Sequence, residues 1–263
     1  MNISITLHRI IHYLNYQIKA KDEHSIHSPF LFDFVTSCFD TKNYFYAFDE
    51  LKIIRNQLLN DKSSIQYSDI GSPSYSLKKN TRKIKDILKT SVSPQKYSEL
   101  YFRIIQFLKA KDILELGTSL GLNTMYLAKA TPGKVISIEG QKSLFAYAQN
   151  LLNKNKIQNV QLINAYFDDV LPSLLKENTF DFVLIDGNHT YDATMRYFNL
   201  LSNYTHPLSV IILDDIYWSP EMTKAWNDIK KNNKIKITID IYRAGIIIFN
   251  PNIIYSQHFA LKY

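Results

Sequence analysis

From residue 112 to residue 250, short apolar runs alternate with segments of helical spacing, and no other feature constrains the fold as strongly. Strands are expected at 112–116, 134–138, 160–164, 181–186, 209–214, 235–241 and 245–250. Helices fit near 122–130, 142–154, 168–176, 191–202 and 220–232. Such alternation implies parallel strands joined by right-handed helical crossovers, hence a doubly wound α/β sheet. Val183 to Ile185 and Val210 to Leu213 are apolar runs bounded by acids, as expected of central strands covered on both faces. The last two strands are separated by only a few residues around Arg243–Gly245, too few for a crossover. They must pair antiparallel.

Residues 1–110 lack this alternation. Leu7, Ile10, Ile11 and Leu14 repeat with helical spacing, as do Phe30, Phe34 and Val35, then Leu51, Ile54, Arg55 and Leu58. Two or three helices are expected, followed by a polar loop from Asp61 to Lys79 and helices at 81–90 and 95–109. The expected organisation is an N-terminal helical extension over 1–92 and a main domain over 93–263.

Within the main domain, the strand at 113–116 runs into Gly117-Thr-Ser-Leu-Gly121 and then a helix. Glycine at both positions permits a tight turn and close backbone approach to a ligand. The exposed N–H groups of the helix start favour an anionic group. Glu139 ends the next strand, where a carboxylate can accept both hydroxyl protons of a ribose. The spacing Glu-x-Gly-x-x-x-Gly differs from the dinucleotide fingerprint, and no Lys-Ser/Thr follows to hold a triphosphate. A nucleoside without a phosphate chain fits best, and S-adenosylmethionine is the common one.

Composition narrows the partners. The chain has 263 residues, 46% hydrophobic, with no apolar run near the ~20 residues needed to cross a bilayer. Its start lacks the pattern of a secretory signal. The lone Cys38 excludes an internal disulfide framework and fits a reducing cytoplasm, the expected location. The net charge of +7 comes mainly from residues 1–110, with 16 Lys/Arg against 10 Asp/Glu. Lys78, Lys79, Arg82, Lys83, Lys85 and Lys89 face only Asp86 within 78–89, so a nucleic-acid partner for this segment is carried as an alternative to a solvated helix face. The expected partner is a small-molecule acceptor, with no membrane; a homodimer is also entertained.

Taken in order, Glu115-Leu-Gly117-Thr-Ser-Leu-Gly121, Glu139, Asp181-Phe-Val-Leu-Ile-Asp186-Gly, and Asp214-Asp215 resemble the class I S-adenosylmethionine-dependent methyltransferases over about 93–250. Asp186-Gly-Asn-His189-Thr-Tyr191 with Asp214-Asp215 looks like their metal-assisted O-methyltransferase branch, of the catechol and caffeoyl-coenzyme A type. Ile26-His-Ser-Pro-Phe30 and the stretch Ser91–Tyr97 look like a group of bacterial methyltransferases. The resemblance implies a seven-stranded Rossmann-like methyltransferase sheet with a C-terminal antiparallel hairpin. It implies that Glu115, Gly117 and Ser119 border the methionine part of the cofactor and that Asn123 holds its carboxylate. Glu139 would take the ribose; Tyr166, Phe167, Asn188 and Asp186 would complete the cofactor site.

The same resemblance implies a divalent-cation site at Asp186, Asp214 and Asp215. Hard oxygen ligands suit Mg²⁺, and Asp215 stands where the branch generally has Asn. The ion would lower the acceptor hydroxyl's pKa and aim its oxygen at the methyl group. His189, where catechol-type enzymes place a lysine, is the expected catalytic base beside Asp186, since a neutral imidazole accepts a proton near neutral pH. The expected function is divalent-cation-assisted O-methylation of a small hydroxylated acceptor. An RNA-directed methyltransferase using 78–89 and a non-catalytic cofactor-binding protein are the alternatives.

Overall fold

A computed structural model describes residues 3–67, 81–250, 253 and 255–263. The chain begins with α1 (Ile3–Lys19) and α2 (Pro29–Phe39), then α3 (Ala47–Asn60), β1 (Ser64–Gln66), β2 (Thr81–Lys83), α4 (Ile84–Ser91) and α5 (Gln95–Leu108). Strand and helix then alternate through β3 (Asp112–Leu116), α6 (Leu122–Lys129), β4 (Lys134–Ile138), α7 (Lys142–Lys154), β5 (Val160–Ile163) and α8 (Phe167–Glu177). The remainder is β6 (Phe182–Ile185), α9 (Tyr191–Leu201), β7 (Val210–Asp214), α10 (Pro220–Lys230), β8 (Ile237–Asp240), β9 (Ala244–Ile248) and β10 (Gln257–Ala260). These elements form two compact units.

One unit comprises the described residues of Asp33–Ile70 and Leu77–Val170. Its β3, β4 and β5 are parallel, with Leu116 opposite Ile138 and Ile138 opposite Ile163. Their carboxyl ends are therefore level, which sets Gly117, Glu139 and Asn164 in one row. Phe48 of α3, Phe102 of α5 and Tyr126 of α6 meet edge to face or tilted at 5.0–6.2 Å between centroids, and all three are buried. Those aromatics join the helices that precede the glycine turn to the helix that follows it. Cys38 is fully buried, and that burial pushes its thiol well above the usual range, so it stays a protonated apolar group.

The basic segment is only partly described, because Lys78 and Lys79 lie outside the described residues. Its first described residues form a strand: β2 pairs antiparallel with β1, and the helix expected from 81 starts at Ile84. Arg82 is buried, its guanidinium 3.5 Å from the centroid of the Tyr67 ring. Desolvated against an aromatic face, it is a packing residue in this unit.

The other unit comprises the described residues of Met1–Phe32 and Leu171–Tyr263. Here β6 and β7 are parallel, β7 and β9 antiparallel, and β8 antiparallel to β9, so the expected terminal hairpin is present. Ile185 stands opposite Leu213, which makes the strand-end acids Asp186 and Asp214 level. The strand expected at the C-terminal side is followed by one more: β10 runs parallel to β8. Among the described residues, eight strands thus replace the seven expected, apart from the short β1–β2 pair. Gln257-His-Phe-Ala carries no alternation, so only its partner strand identifies it.

Helix α1 docks through its polar side. Arg9 lies 3.6 Å from the Trp218 ring centroid and donates from Nε to the Trp218 carbonyl at 3.0 Å. His8 Nε2 meets Thr223 Oγ1 at 2.9 Å, and Tyr16 donates to the Leu261 carbonyl at 2.5 Å. The helix therefore covers the loop that follows β7.

Strand β9 also shows why glycine is needed at 245. A Cβ built there would lie 2.5 Å from Cζ3 of Trp226, an indole with no exposed surface. Flat rings cannot bend aside, so Gly245→Ala should destabilise the fold by ~1–3 kcal/mol through overpacking. Urea unfolding followed by tryptophan fluorescence checks it, and an unchanged midpoint would mean that the indole has room to move.

Candidate functional site

In the first unit the chain leaves β3 through a left-handed turn, with φ of 107° at Gly117, 49° at Ser119 and 80° at Gly121. Gly117 N–H donates to the Ile138 carbonyl at 3.0 Å, tying the turn to β4. A Cβ on Gly121 would meet that of Ala148 on α7 at 3.0 Å, so only glycine permits this approach. Helix α6 begins directly afterwards, with Asn123 in its first turn.

Glu139 leaves β4 into this row. Its Oε2 accepts from Ser119 N–H and its Oε1 from Gln141 N–H, both at 2.9 Å. Burial pushes the carboxyl above its ordinary range, while these backbone N–H groups pull it back. Asn164 donates to the Glu139 carbonyl at 2.7 Å and fixes the backbone behind it. Each carboxylate oxygen keeps a further acceptor direction, which is what two hydroxyls of a diol require.

Glu115 is placed differently from a ligand-bordering acid. It is fully buried and accepts from Thr124 Oγ1 at 2.5 Å, Ser137 Oγ at 2.6 Å and Asn123 Nδ2 at 3.4 Å. Burial raises its pKa to about 7 against those three donors. It braces β3, β4 and α6 from inside. Beside it, Asn123 Oδ1 and Ser119 Oγ are buried polar atoms without a hydrogen-bond partner. Unpaired buried polar atoms are costly; Ser119 lies in the glycine turn and Asn123 in the first turn of α6. Tyr166 is 56% exposed at the end of the same row, with Phe167 opening α8.

The second unit holds the acids. Asp186, His189 and Asp215 bring one ligand atom each within 4.8 Å of one another, and His189 Nε2 lies 3.6 Å from Asp186 Oδ1. Asp215 reaches this position through a left-handed backbone, φ 56°. Burial pushes its carboxyl up, opposed by the Arg243 guanidinium and reinforced by Asp214. Asp214 is not part of the group. It has no exposed surface; its Oδ1 accepts from Asp215 N–H at 2.9 Å and its Oδ2 from Arg243 Nη2 at 3.2 Å.

Asn188 also adopts a left-handed backbone, φ 56°, and turns its amide to Tyr197 Oη at 3.0 Å on α9. Two arginines escaped the sequence reading. Arg243 stands 3.4 Å from Asp215 as well, and Arg9 adds positive charge near the same carboxylate. The Arg243 contact follows from the antiparallel register, which sets Ala244 opposite Asp214. The aromatic residues after β7 are packing: Trp226 is fully buried, and Tyr217 donates to Asp240 Oδ2 at 2.5 Å while stacking on His12.

Residues 114–216 match a family described as a methyltransferase domain. A catechol O-methyltransferase of Niastella koreensis is 31% identical over 131 residues, covering 48% of this chain and 58% of the relative. The chain thus spans less than two thirds of that curated relative. Among solved structures, the O-methyltransferase TomG of Streptomyces achromogenes, in complex with S-adenosylmethionine, aligns with a TM-score of 0.54 at 18% identity, covering 61% of this chain and 82% of that one. The methyltransferase PaMTH1 of Podospora anserina, bound to SAH, aligns with a TM-score of 0.57 at 15% identity, covering 85% and 96%. These likenesses establish the α/β fold.

Proposed function

We propose that the chain, whose residues 114–216 match a methyltransferase-domain family, is a class I S-adenosylmethionine-dependent O-methyltransferase for a small hydroxylated acceptor, assisted by a divalent cation. The observation that carries the cofactor assignment is Glu139, a buried carboxylate held by two backbone N–H groups beside a glycine turn with orphaned polar atoms. Glu139 binds the ribose hydroxyls. Asn123 Oδ1 suits the ammonium of the methionine end, and Ser119 Oγ suits either of its charged groups. Tyr166 and Phe167 offer faces for adenine. A sulfonium methyl is already activated, so the chain's task is positioning and deprotonation.

In the other unit, two carboxylates and an imidazole form a donor set suited to a divalent ion. Such an ion, when bound, acidifies the acceptor hydroxyl and directs its oxygen. Asp186 and Asp215 hold it there and supply the balancing negative charge. Arg243 fixes Asp214 and keeps that carboxylate turned inward. The relative named for catechol makes a catechol the natural first acceptor to try.

Calorimetric titration with S-adenosylmethionine tests the cofactor half. Glu139→Ala removes a charged acceptor from the ribose hydroxyls and should weaken binding by ~1–3 kcal/mol, a loss of roughly tenfold or more in affinity. An unchanged dissociation constant would remove Glu139 from the site.

A further inference from the structure

We infer that His189 is a metal ligand and that the site takes a first-row transition ion such as Co²⁺ or Zn²⁺ in preference to Mg²⁺. This inference rests on the cation reading above and names its ligand set. Three strand-end acids were candidates, yet Asp214 is fully buried, with one oxygen on Asp215 N–H and the other on Arg243. Arg243 stands near both acids, 3.2 Å from Asp214 and 3.4 Å from Asp215, so it is the complete burial of Asp214 and its two occupied oxygens that set it aside. The group that converges is Asp186, His189 and Asp215, each side chain 15–21% exposed.

Its dimensions fit a small ion. Bonds of about 2.1 Å place ligand atoms no more than about 4.2 Å apart. The three atoms already lie within 4.8 Å, and the Asp186–His189 pair is at 3.6 Å. Slight closing of the side chains is enough. Two carboxylates and one imidazole leave the remaining coordination positions for acceptor oxygen or water. A nitrogen donor decides the ion. Mg²⁺ binds oxygen and keeps much of its water, whereas imidazole suits the later first-row ions, whose affinity for mixed nitrogen–oxygen sites is higher. An imidazole lone pair directed at a metal is not a free base, so the acceptor's acidity then comes from the ion.

The test is titration of the purified full chain with Co²⁺ alone and Mg²⁺ alone, without cofactor or acceptor. Co²⁺ should bind at least ~10-fold more tightly than Mg²⁺, with visible d–d absorption and a hyperfine-shifted imidazole resonance in the unmodified protein. His189→Gln should lose that resonance and weaken Co²⁺ by ~10–100-fold while moving Mg²⁺ little. Asp214→Asn, checked for folding by circular dichroism, should leave the Co²⁺ affinity within about threefold, since Asp214 lies outside the ligand set. Equal Mg²⁺ and Co²⁺ affinity, with no effect of His189→Gln and no shifted imidazole resonance, would overturn the inference and leave the cation reading intact. Failure of the chain to bind either ion would remove both.

Discussion

Asp186→Asn should lower methyl transfer by ~10³-fold, the several kcal/mol of transition-state stabilisation that a Lewis-acid site supplies. Asp186 directly follows β6, level with Asp214, and its Oδ1 lies 3.6 Å from His189 Nε2. Asparagine keeps the shape but removes the charge that holds a dication beside a second acid and an arginine. Cofactor affinity should fall by no more than ~10-fold, because Glu139, Ser119 and Asn123 are unaltered. Single-turnover rates and a cofactor titration on the same preparation separate the two quantities. Equal losses in both would make Asp186 a part of the fold or of the cofactor site, and the catalytic assignment would lapse.

The second large effect is on stability against pH. Glu115 is fully buried, and its pKa stands at about 7 against an ordinary 4.5. A raised carboxylate contributes stability that is fully present below the unfolded value and is lost as pH rises through the folded one. Between about pH 4.5 and 7 the expected loss from this group is about 3 kcal/mol. Burial lowers the pKa of His8, His12 and His258, which acts in the opposite sense, with stability falling as those imidazoles are forced to protonate on acidification. The clean quantity is therefore the difference between the parent chain and Glu115→Gln, measured by urea unfolding at pH 5 and pH 8. The parent's advantage should shrink across that interval by about 3 kcal/mol. A difference independent of pH would show that the Thr124, Ser137 and Asn123 donors keep Glu115 ionised throughout.

The sequence was legible wherever structure is local. Apolar runs and turn residues placed β3 and β4 at their observed bounds, since a strand end and a glycine turn are properties of neighbouring residues. Glu139 was legible for the same reason: its position follows from the end of β4. Register-dependent features were not. Strand β10 exists because β8 offers an edge, and nothing in Gln257–Ala260 announces it. Asp214 and Asp215 look equivalent as adjacent letters. Only the turn of backbone at Asp215 and the complete burial of Asp214 separate them. Glu115 reads as a ligand-bordering acid in sequence, yet Thr124 and Ser137 enclose it. Spacing states which acid is available, and tertiary contacts decide which is used.

The proposed activity is tested most directly by following a labelled methyl group from S-adenosylmethionine into a hydroxylated aromatic acceptor, with and without a chelator. The account predicts a labelled methyl ether and an equivalent amount of SAH. Both should fall sharply when the chelator is present and return when a divalent ion is restored. A labelled product at the same rate in chelator would contradict the cation's role. No transfer to any hydroxylated acceptor, despite bound cofactor and restored ion, would contradict O-methylation itself.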